Sequence, residues 1–562
     1  MTGSSRLDSW TLPNLLRRSF TRYRELPAIG FVEDPPLTYG QVEQQVFALA
    51  ASLTARNIGK GDKVAILGEN SPQWVLAYLA ITAIGAVAVP ILPGFPDSDA
   101  RHIIRDSEAV AVFVSDKQRD KVDAAQLPGI MTFYSLEDLT AEDRHGPDSG
   151  LVEKARHLLG MTGRQKPQPG RLRADQPAPD DLAVILYTSG TTGHSKGVML
   201  THANIVSDVI GSIERFPIAS TDRFLSILPL SHVFEATGGM LCPLAVGAGV
   251  FYMKGLPAPR RLLAAMQTVR PTGVLMVPLI MDKIYRKNVV HPIENKKLGW
   301  LYRIPFVRKA INHTAGRKLL RSLGGNLRFF MLGGAFLNED LEFFLRDAGI
   351  SYSTGYGMTE AAPIVTISPF GKVRVGSCGQ PIQGVEVGID DPDPVTGIGE
   401  ILVRGPNIMR GYYKNDTATR NALLDGGWLR TGDLGWLDGD GYLYIKGRSK
   451  NVIVGPSGEN IYPEIIEQRL LKSPYIQQVI VYEHNGRLIA KAYLDYDTID
   501  SEFRGGLNGS TPADVVAGLL ERIRSEVNQE LPAFSAVQEI REQAEPFEMT
   551  PTRKIKRYLY VD

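Results

Sequence analysis

The stretch YTSGTTGHSKGVMLTHANI, residues 187–205, sets five Ser and Thr hydroxyls (Thr188, Ser189, Thr191, Thr192, Ser195), three glycines (Gly190, Gly193, Gly197) and Lys196 close together. Phosphate is the ligand such a set suits: glycines free backbone amides for close approach, hydroxyls donate hydrogen bonds, and the ammonium supplies charge. A Walker loop would need a second glycine where Ser195 stands and a hydroxyl where Gly197 stands, with a helix starting at once. Here VML reads as a strand, and Thr201 as the N-cap of a helix over HANIVSDVIGSIERF. The loop is therefore expected to join two strands. A hairpin tip also favours Gly, Ser and Thr, but a lysine ringed by this many hydroxyls exceeds what a turn requires. No Ser-His-Asp or Cys-His arrangement offers a protein nucleophile.

The elements that position this loop read as alternating strands and helices. KVAIL (63–67), Ser71 and Pro72 as N-cap and first helical residue, Gly85 as helix stop and AVAVPIL as a buried strand spell a βαβ unit of a parallel sheet. That reading excludes a membrane span over Trp74–Leu92, although the segment is uncharged and about long enough. The first 130 or so residues predict a doubly wound α/β sheet. The Pro-, Gly- and charge-rich stretch from about Leu136 to Asp181 reads as a surface excursion. Beyond Val385, GEILVRG and GYLYIKG indicate a smaller β-rich portion, and from about Asn451 a compact α+β module is expected.

Composition sets limits on partners. The 562 residues are 43% hydrophobic and 8% aromatic, and 62 Lys and Arg against 61 Asp and Glu leave a net charge of +1. No global field recruits nucleic acid, so phosphate binding must be local. Two cysteines, Cys242 and Cys378, exclude a disulfide framework and a Cys-rich metal site and suit a reducing cytosol. The first twenty residues contain no apolar stretch of signal-peptide length, and a cytoplasmic protein is expected. Between Lys283 and Arg321 nine further basic residues, Arg286, Lys287, Lys296, Lys297, Arg303, Arg308, Lys309, Arg317 and Lys318, interleave with Trp300, Tyr302 and Phe306, with Glu294 the only acid. A solvated helix face and a peripheral membrane-surface or phosphoadenosine-facing patch both fit. Oligomeric state is not legible.

YTSGTTGHSKG resembles the phosphate signature of the acyl-adenylate-forming (AMP-binding) superfamily, and further matches run in the family's order from LTYGQVEQQVFALAASL (37–53) to MTPTRKIKR (549–557). The resemblance implies a large N-terminal α/β domain over 1–447, a hinge at 448–451 with Lys450 at its pivot, and a small mobile α+β domain over 452–562. It implies that Thr188, Ser189, Gly190, Thr191, Thr192, Gly193 and Lys196 hold ATP phosphates, and that LGGAF, through Gly333, Gly334 and Ala335, receives adenine. In TGYGMTE (354–360) it places Thr354, Gly355, Tyr356, Gly357 and Thr359 at the nucleotide, with Tyr356 against adenine, Thr359 at the α-phosphate and Glu360 on Mg²⁺ beside Thr188. LPLSHVFE implies His232 at the acyl pocket, Asp433 and Arg448 fall on the ribose hydroxyls, and Lys554 on the catalytic lysine, with Arg553 where the family has glycine. The implied reaction is two-step ligation: a fatty acid, most like a long-chain one, is adenylated by ATP, then passed to coenzyme A. A fatty-acyl-AMP or acyl-carrier-protein ligase, and a non-catalytic nucleotide- or acyl-binding protein, are the alternatives.

Overall fold

The computed structural model describes residues 9–143, 176–188, 195–255, 258–290, 302, 304–455, 458–503, 511–550 and 554–561. The chain divides into two compact units, a larger one made of Met1–Thr188, Ser195–Glu386 and Val403–Leu429, and a smaller one that takes in Val387–Leu402 and Arg430–Asp562. The phosphate-loop residues Ser189, Gly190, Thr191, Thr192 and Gly193 lie outside the described residues, as does most of the expected surface excursion.

Two sheets build the larger unit. In the nine-stranded one, Tyr352–Gly357, Phe329–Leu332, Gly273–Met276, Arg223–Ser226, Gly249–Tyr252 and Pro27–Phe31 lie side by side and all parallel. Antiparallel strands close both edges. In the eight-stranded sheet, Leu182–Thr188, Val87–Ile91, Lys63–Leu67, Ala109–Val114 and Thr132–Ser135 are parallel, with antiparallel strands Lys196–Thr201 and Gly411–Tyr412 on one side. Strands buried on both faces read as continuous apolar runs, which is how KVAIL, AVAVPIL and LAVILY look.

The βαβ unit forms as expected. Ser71 Oγ accepts the Trp74 amide at 3.0 Å, Pro72 opens helix Pro72–Ala83, and Gly85, at φ +72°, ends it in the left-handed region. Every helical residue from Trp74 to Thr82 is buried, so the helix is apolar all round because protein covers it on all sides. Among the described residues no helix is long and apolar enough to cross a membrane. The described part of the basic segment falls on two stretches: Arg286, on the π-helical turn Arg286–Val290, pairs with Asp282 at 2.6 Å, and on helix Pro305–Ser322 Asn312, Gly316 and Leu319 face inward while Lys309, Arg317 and Lys318 face solvent.

In the smaller unit, strands Ile476–His484 and Arg487–Leu494 form a hairpin through Asn485 and Gly486, both at positive φ, the two-residue turn that Asn-Gly favours. Glu539–Glu542 adds in parallel, and helices Pro463–Leu470 and Pro512–Glu530 bury Ile466, Leu470, Leu519 and Ile523 against this sheet. Thr511 caps the longer helix in a capping box with Asp514.

One buried acid sits at the middle of the larger unit. After strand Arg223–Ser226 the chain enters a π-helical turn, Glu235–Leu241, all of it buried. Gly239 makes this possible: a Cβ there would stand 2.5 Å from Glu235 Oε1. Burial pushes the Glu235 carboxyl up to about 8, against a smaller opposing contribution from a hydrogen bond with Ser226, and Oε2 has no partner among the described residues. The folded state therefore keeps a proton that the unfolded chain releases near 4.5. Stability from this group is complete below that value and is lost as pH rises towards about 8. Between about pH 5 and about pH 8 the thermal midpoint of the native protein is expected to fall further than that of Glu235→Gln. Parallel pH profiles for the two would show that no proton is held there.

Candidate functional site

Ligands of open parallel sheets bind outside the carboxyl ends of the strands. Four adjacent strands of the nine-stranded sheet end together on one edge. Arg223–Ser226 leads into the segment with His232, Gly273–Met276 into Val277, Phe329–Leu332 into Gly333, Gly334 and Ala335, and Tyr352–Gly357 into Thr359 and Glu360. Gly333 is buried with the Phe234 ring 3.1 Å from where a Cβ would stand, and Gly334 takes φ +83°. This turn therefore presents bare backbone, while Ala335 and Phe336 are exposed. His232 is half-buried, and its Nδ1 accepts the Phe234 amide at 3.2 Å, which leaves Nε2 as the protonated nitrogen of the neutral ring. The segment is tied down from the other sheet. Asn70 Nδ2 donates to Leu228 O at 2.6 Å and to Ser226 Oγ at 3.0 Å, and Asn70 Oδ1 accepts the Leu230 amide at 2.8 Å.

Not every residue of TGYGMTE faces this edge alike. The Thr354 hydroxyl is buried and shares a 2.6 Å hydrogen bond with Ser368 Oγ while donating to Ser377 O at 2.9 Å, so it secures the strand from inside. At Gly357 a Cβ would stand 2.0 Å from Pro363 O, so the chain can double back there only without a side chain. Gly355 and Tyr356 are partly buried and Gly357 is exposed, next to Thr359 and Glu360.

The turn after Glu360 is clamped from three directions. Asn407 Nδ2 donates to Ala361 O at 2.9 Å and to Ile364 O at 3.0 Å, and Asp208 Oδ1 accepts the Ile364 amide at 3.2 Å. Thr237 Oγ1 donates to Ala362 O at 3.2 Å. Asp208 is fully buried, and burial pushes its carboxyl well above the usual carboxylate range. The Met409 amide donates to Glu360 O at 2.8 Å, and the Tyr412 hydroxyl donates to Glu360 Oε1 at 2.9 Å.

Tyr412 also connects Glu360 to the expected phosphate loop. It pairs with Val198 across the strand that begins at Lys196, and the Lys196 ammonium stands 5.1 Å from the centre of its ring. Leu182–Thr188 and Lys196–Thr201 are antiparallel with Thr188 opposite Lys196, and Thr201 caps the following helix through its bond from the Asn204 amide, as expected. Lys196, Thr188, Tyr412 and Glu360 thus gather around the ends of the loop. Among the described residues no group of three or more His, Cys, Asp or Glu side chains could hold a metal. A single carboxylate beside hydroxyls suits Mg²⁺, which takes its remaining oxygens from phosphate and water. Tyr412, Asn407 and Asp208 escaped sequence reading, because one Tyr or Asn in GPNIMRGYYKN looks like any loop residue.

The smaller unit carries the other expected residues. Asp433 and Arg448 are cross-strand partners, with Arg448 Nε 2.8 Å from Asp433 Oδ1. The carboxylate is buried and the guanidinium about half exposed, so the pair offers its arginine end to solvent. Lys450 is exposed in a one-turn 3-10 segment, Ser449–Asn451, between two anchors: Ser449 Oγ on Gly432 O at 3.1 Å and Asn451 Nδ2 on Glu464 Oε1 at 2.6 Å. Lys554 is exposed where Met549 and Ile555 pair, with its amide on Thr550 Oγ1 at 3.1 Å. Of its basic neighbours, Lys556 pairs with Glu548 and Arg557 is committed to Glu467.

Comparison with known proteins shows the family and the fold. The family model described as AMP-binding enzyme matches residues 16–413. The long-chain-fatty-acid–CoA ligase FadD15 of Mycobacterium bovis is 31% identical over 93% of this chain and 90% of its own length. Human long-chain-fatty-acid–CoA ligase 1 is 31% identical over 92% of this chain and 80% of its own. Among solved structures, the anthranilate CoA ligase AuaEII in complex with anthranoyl-AMP superimposes with a TM-score of 0.76 at 22% identity, covering 100% of this chain and 98% of that one. The o-succinylbenzoate coenzyme A synthetase of Bacillus subtilis in complex with ATP and magnesium gives 0.72 at 22%, covering 97% and 98%. At that identity the structures establish the fold: a mixed α/β architecture with a large N-terminal and a smaller C-terminal domain. With a family model over most of its length and relatives matched nearly end to end, the chain belongs to the AMP-binding enzyme family.

Proposed function

We propose that this protein is an AMP-forming acid–thiol ligase that activates a long-chain fatty acid and transfers it to coenzyme A. The observation that carries the reading is that Tyr412 joins Glu360 to Lys196, which opens the strand following the glycine- and hydroxyl-rich loop. The names of the relatives support the acyl class. In the first step a carboxylate oxygen attacks the α-phosphorus of ATP, and the bond to the β-phosphate oxygen breaks, releasing pyrophosphate. In the second a thiol sulfur attacks the acyl carbon, the bond to AMP breaks, and the thiol proton is lost to solvent.

The chain's residues position and neutralise; none is consumed. Residues 189–193 and Lys196 hold the polyphosphate, the bare turn at Gly333, Gly334 and Ala335 with Tyr356 takes adenine, and Thr359 lies at the α-phosphate. Mg²⁺, held by Glu360 with Thr188 nearby, neutralises phosphate charge when bound. Tyr412 keeps the Glu360 carboxylate in one orientation. His232 borders the entering carboxylate. Asp433 and Arg448 take the ribose hydroxyls, and Lys554 bridges carboxylate and nucleotide oxygens in the first step only. Lys450, anchored before and behind, is the hinge at 448–451 that turns 452–562 against 1–447 between the steps.

Fatty-acid-dependent exchange of labelled pyrophosphate into ATP, followed by product formation with and without coenzyme A across chain lengths, tests the reading. Exchange strongest with long-chain acids and a thioester product are expected. No exchange with any carboxylate would point to a non-catalytic binder, and exchange without thioester to another acceptor such as an acyl carrier protein. Lys554→Ala should abolish adenylate formation yet still convert supplied acyl-adenylate to thioester; equal loss of both steps removes the assigned role. Tyr412→Phe, which deletes one hydrogen bond to Glu360, should raise KM for Mg·ATP roughly 5- to 10-fold with kcat on supplied acyl-adenylate unchanged. An unaltered KM would detach Tyr412 from the site.

A further inference from the structure

The tail MTPTRKIKR carries four cations, and the lysine proposed to act must reach the nucleotide from a side chain with four rotatable carbons. Such a side chain positions its ammonium only if its backbone is held. Downstream of Lys554 the chain is held by Arg557. Its Nη1 donates to Glu467 Oε2 at 3.0 Å and its Nη2 to Glu467 Oε1 at 2.6 Å, a two-pronged pair, and Nη2 also reaches Val481 O at 2.8 Å. Glu467 Oε1 in turn accepts the Val481 amide at 2.7 Å. Both partners stand on rigid elements, helix Pro463–Leu470 and strand Ile476–His484, and the two side chains keep only 24% and 13% of their exposure.

Upstream the chain is held on the same strand. The Phe547 amide donates to Gln478 Oε1 at 2.9 Å, the Glu548 amide to Tyr560 Oη at 2.7 Å, and the Phe547 and Tyr560 rings meet edge-on at 4.8 Å. Gln478 and Val481 are three residues apart on strand Ile476–His484. Lys554 is thus exposed on a short segment bolted at both ends to one strand, and the stronger bolt lies three residues beyond it.

We infer that the Arg557–Glu467 pair is a positioning device for Lys554, setting where its ammonium stands during adenylate formation. The inference rests on the ligase reading, in which Lys554 serves the first half-reaction alone. A positioning role therefore has a signature that a mere staple lacks: damage to the pair falls on one half-reaction.

The test uses the full chain with Arg557→Lys, which keeps the charge but loses the fork, and the double variant Arg557→Leu/Glu467→Leu, which removes both charges and strands neither. Fatty-acid-dependent pyrophosphate exchange, conversion of supplied acyl-adenylate and coenzyme A to thioester, and thermal midpoint are measured for each. Exchange is expected to fall roughly 10- to 100-fold in both variants while thioester formation stays within about twofold of the native protein. Equal loss of the two half-reactions, or exchange unchanged in a folded double variant, overturns the inference. A native protein that performs both half-reactions leaves the ligase reading standing whichever way the variants behave, whereas a native protein without exchange defeats that reading by itself.

Discussion

In a protein with almost no net charge, the proposed phosphate site must assemble its charges locally, and one tyrosine connects them. Tyr412 gives its hydroxyl to Glu360 and its ring to Lys196, so one side chain touches both the acid and the base. In the proposed reading the lysine serves phosphate and the carboxylate a hard cation. The short strand Gly411–Tyr412 matters chiefly for this, since its pairing with Lys196–Thr201 welds the segment that carries Tyr412 to the segment that carries Lys196.

Around that centre the protein buries two acids. Asp208 lies beneath the Glu360 turn and Glu235 follows the His232 segment, both fully buried and both with the carboxyl pushed up by desolvation. An ionised carboxylate at either place would carry an uncompensated charge in low dielectric. Asp208 holds the buried Ile364 amide, while Glu360 stays partly exposed next to Tyr412. Thr354 belongs with these inner groups: within a motif whose neighbours face a ligand edge, its hydroxyl is spent on Ser368 and Ser377.

The smaller unit solves a different problem. The lysines proposed to act there sit on exposed turns, Lys450 between two anchored residues and Lys554 on a segment fixed to strand Ile476–His484, so each is backed by a rigid element without being buried. The basic tail looks like a solvated terminus by composition, yet the structure sorts its cations: Arg557 is spent inward on Glu467, Lys556 on Glu548, and Lys554 is presented outward.

Local features were legible in the residues because they depend on near neighbours. The Ser71-Pro72 helix start, the Gly85 stop, the strand–loop–strand frame around residues 189–193 and the Thr201 cap all involve contacts within a few positions. Alternating apolar strands and helical patterns likewise announced a large α/β core. Tertiary structure alone decided which of many ordinary side chains complete the site. Tyr412 reaches Glu360 across 52 positions, Asp208 reaches Ile364 across 156 and Arg557 reaches Glu467 across 90. No spacing rule links residues so far apart, because what joins them is the packing of sheets and helices, and a tyrosine, an asparagine or an arginine carries no mark of its partner until the chain has folded.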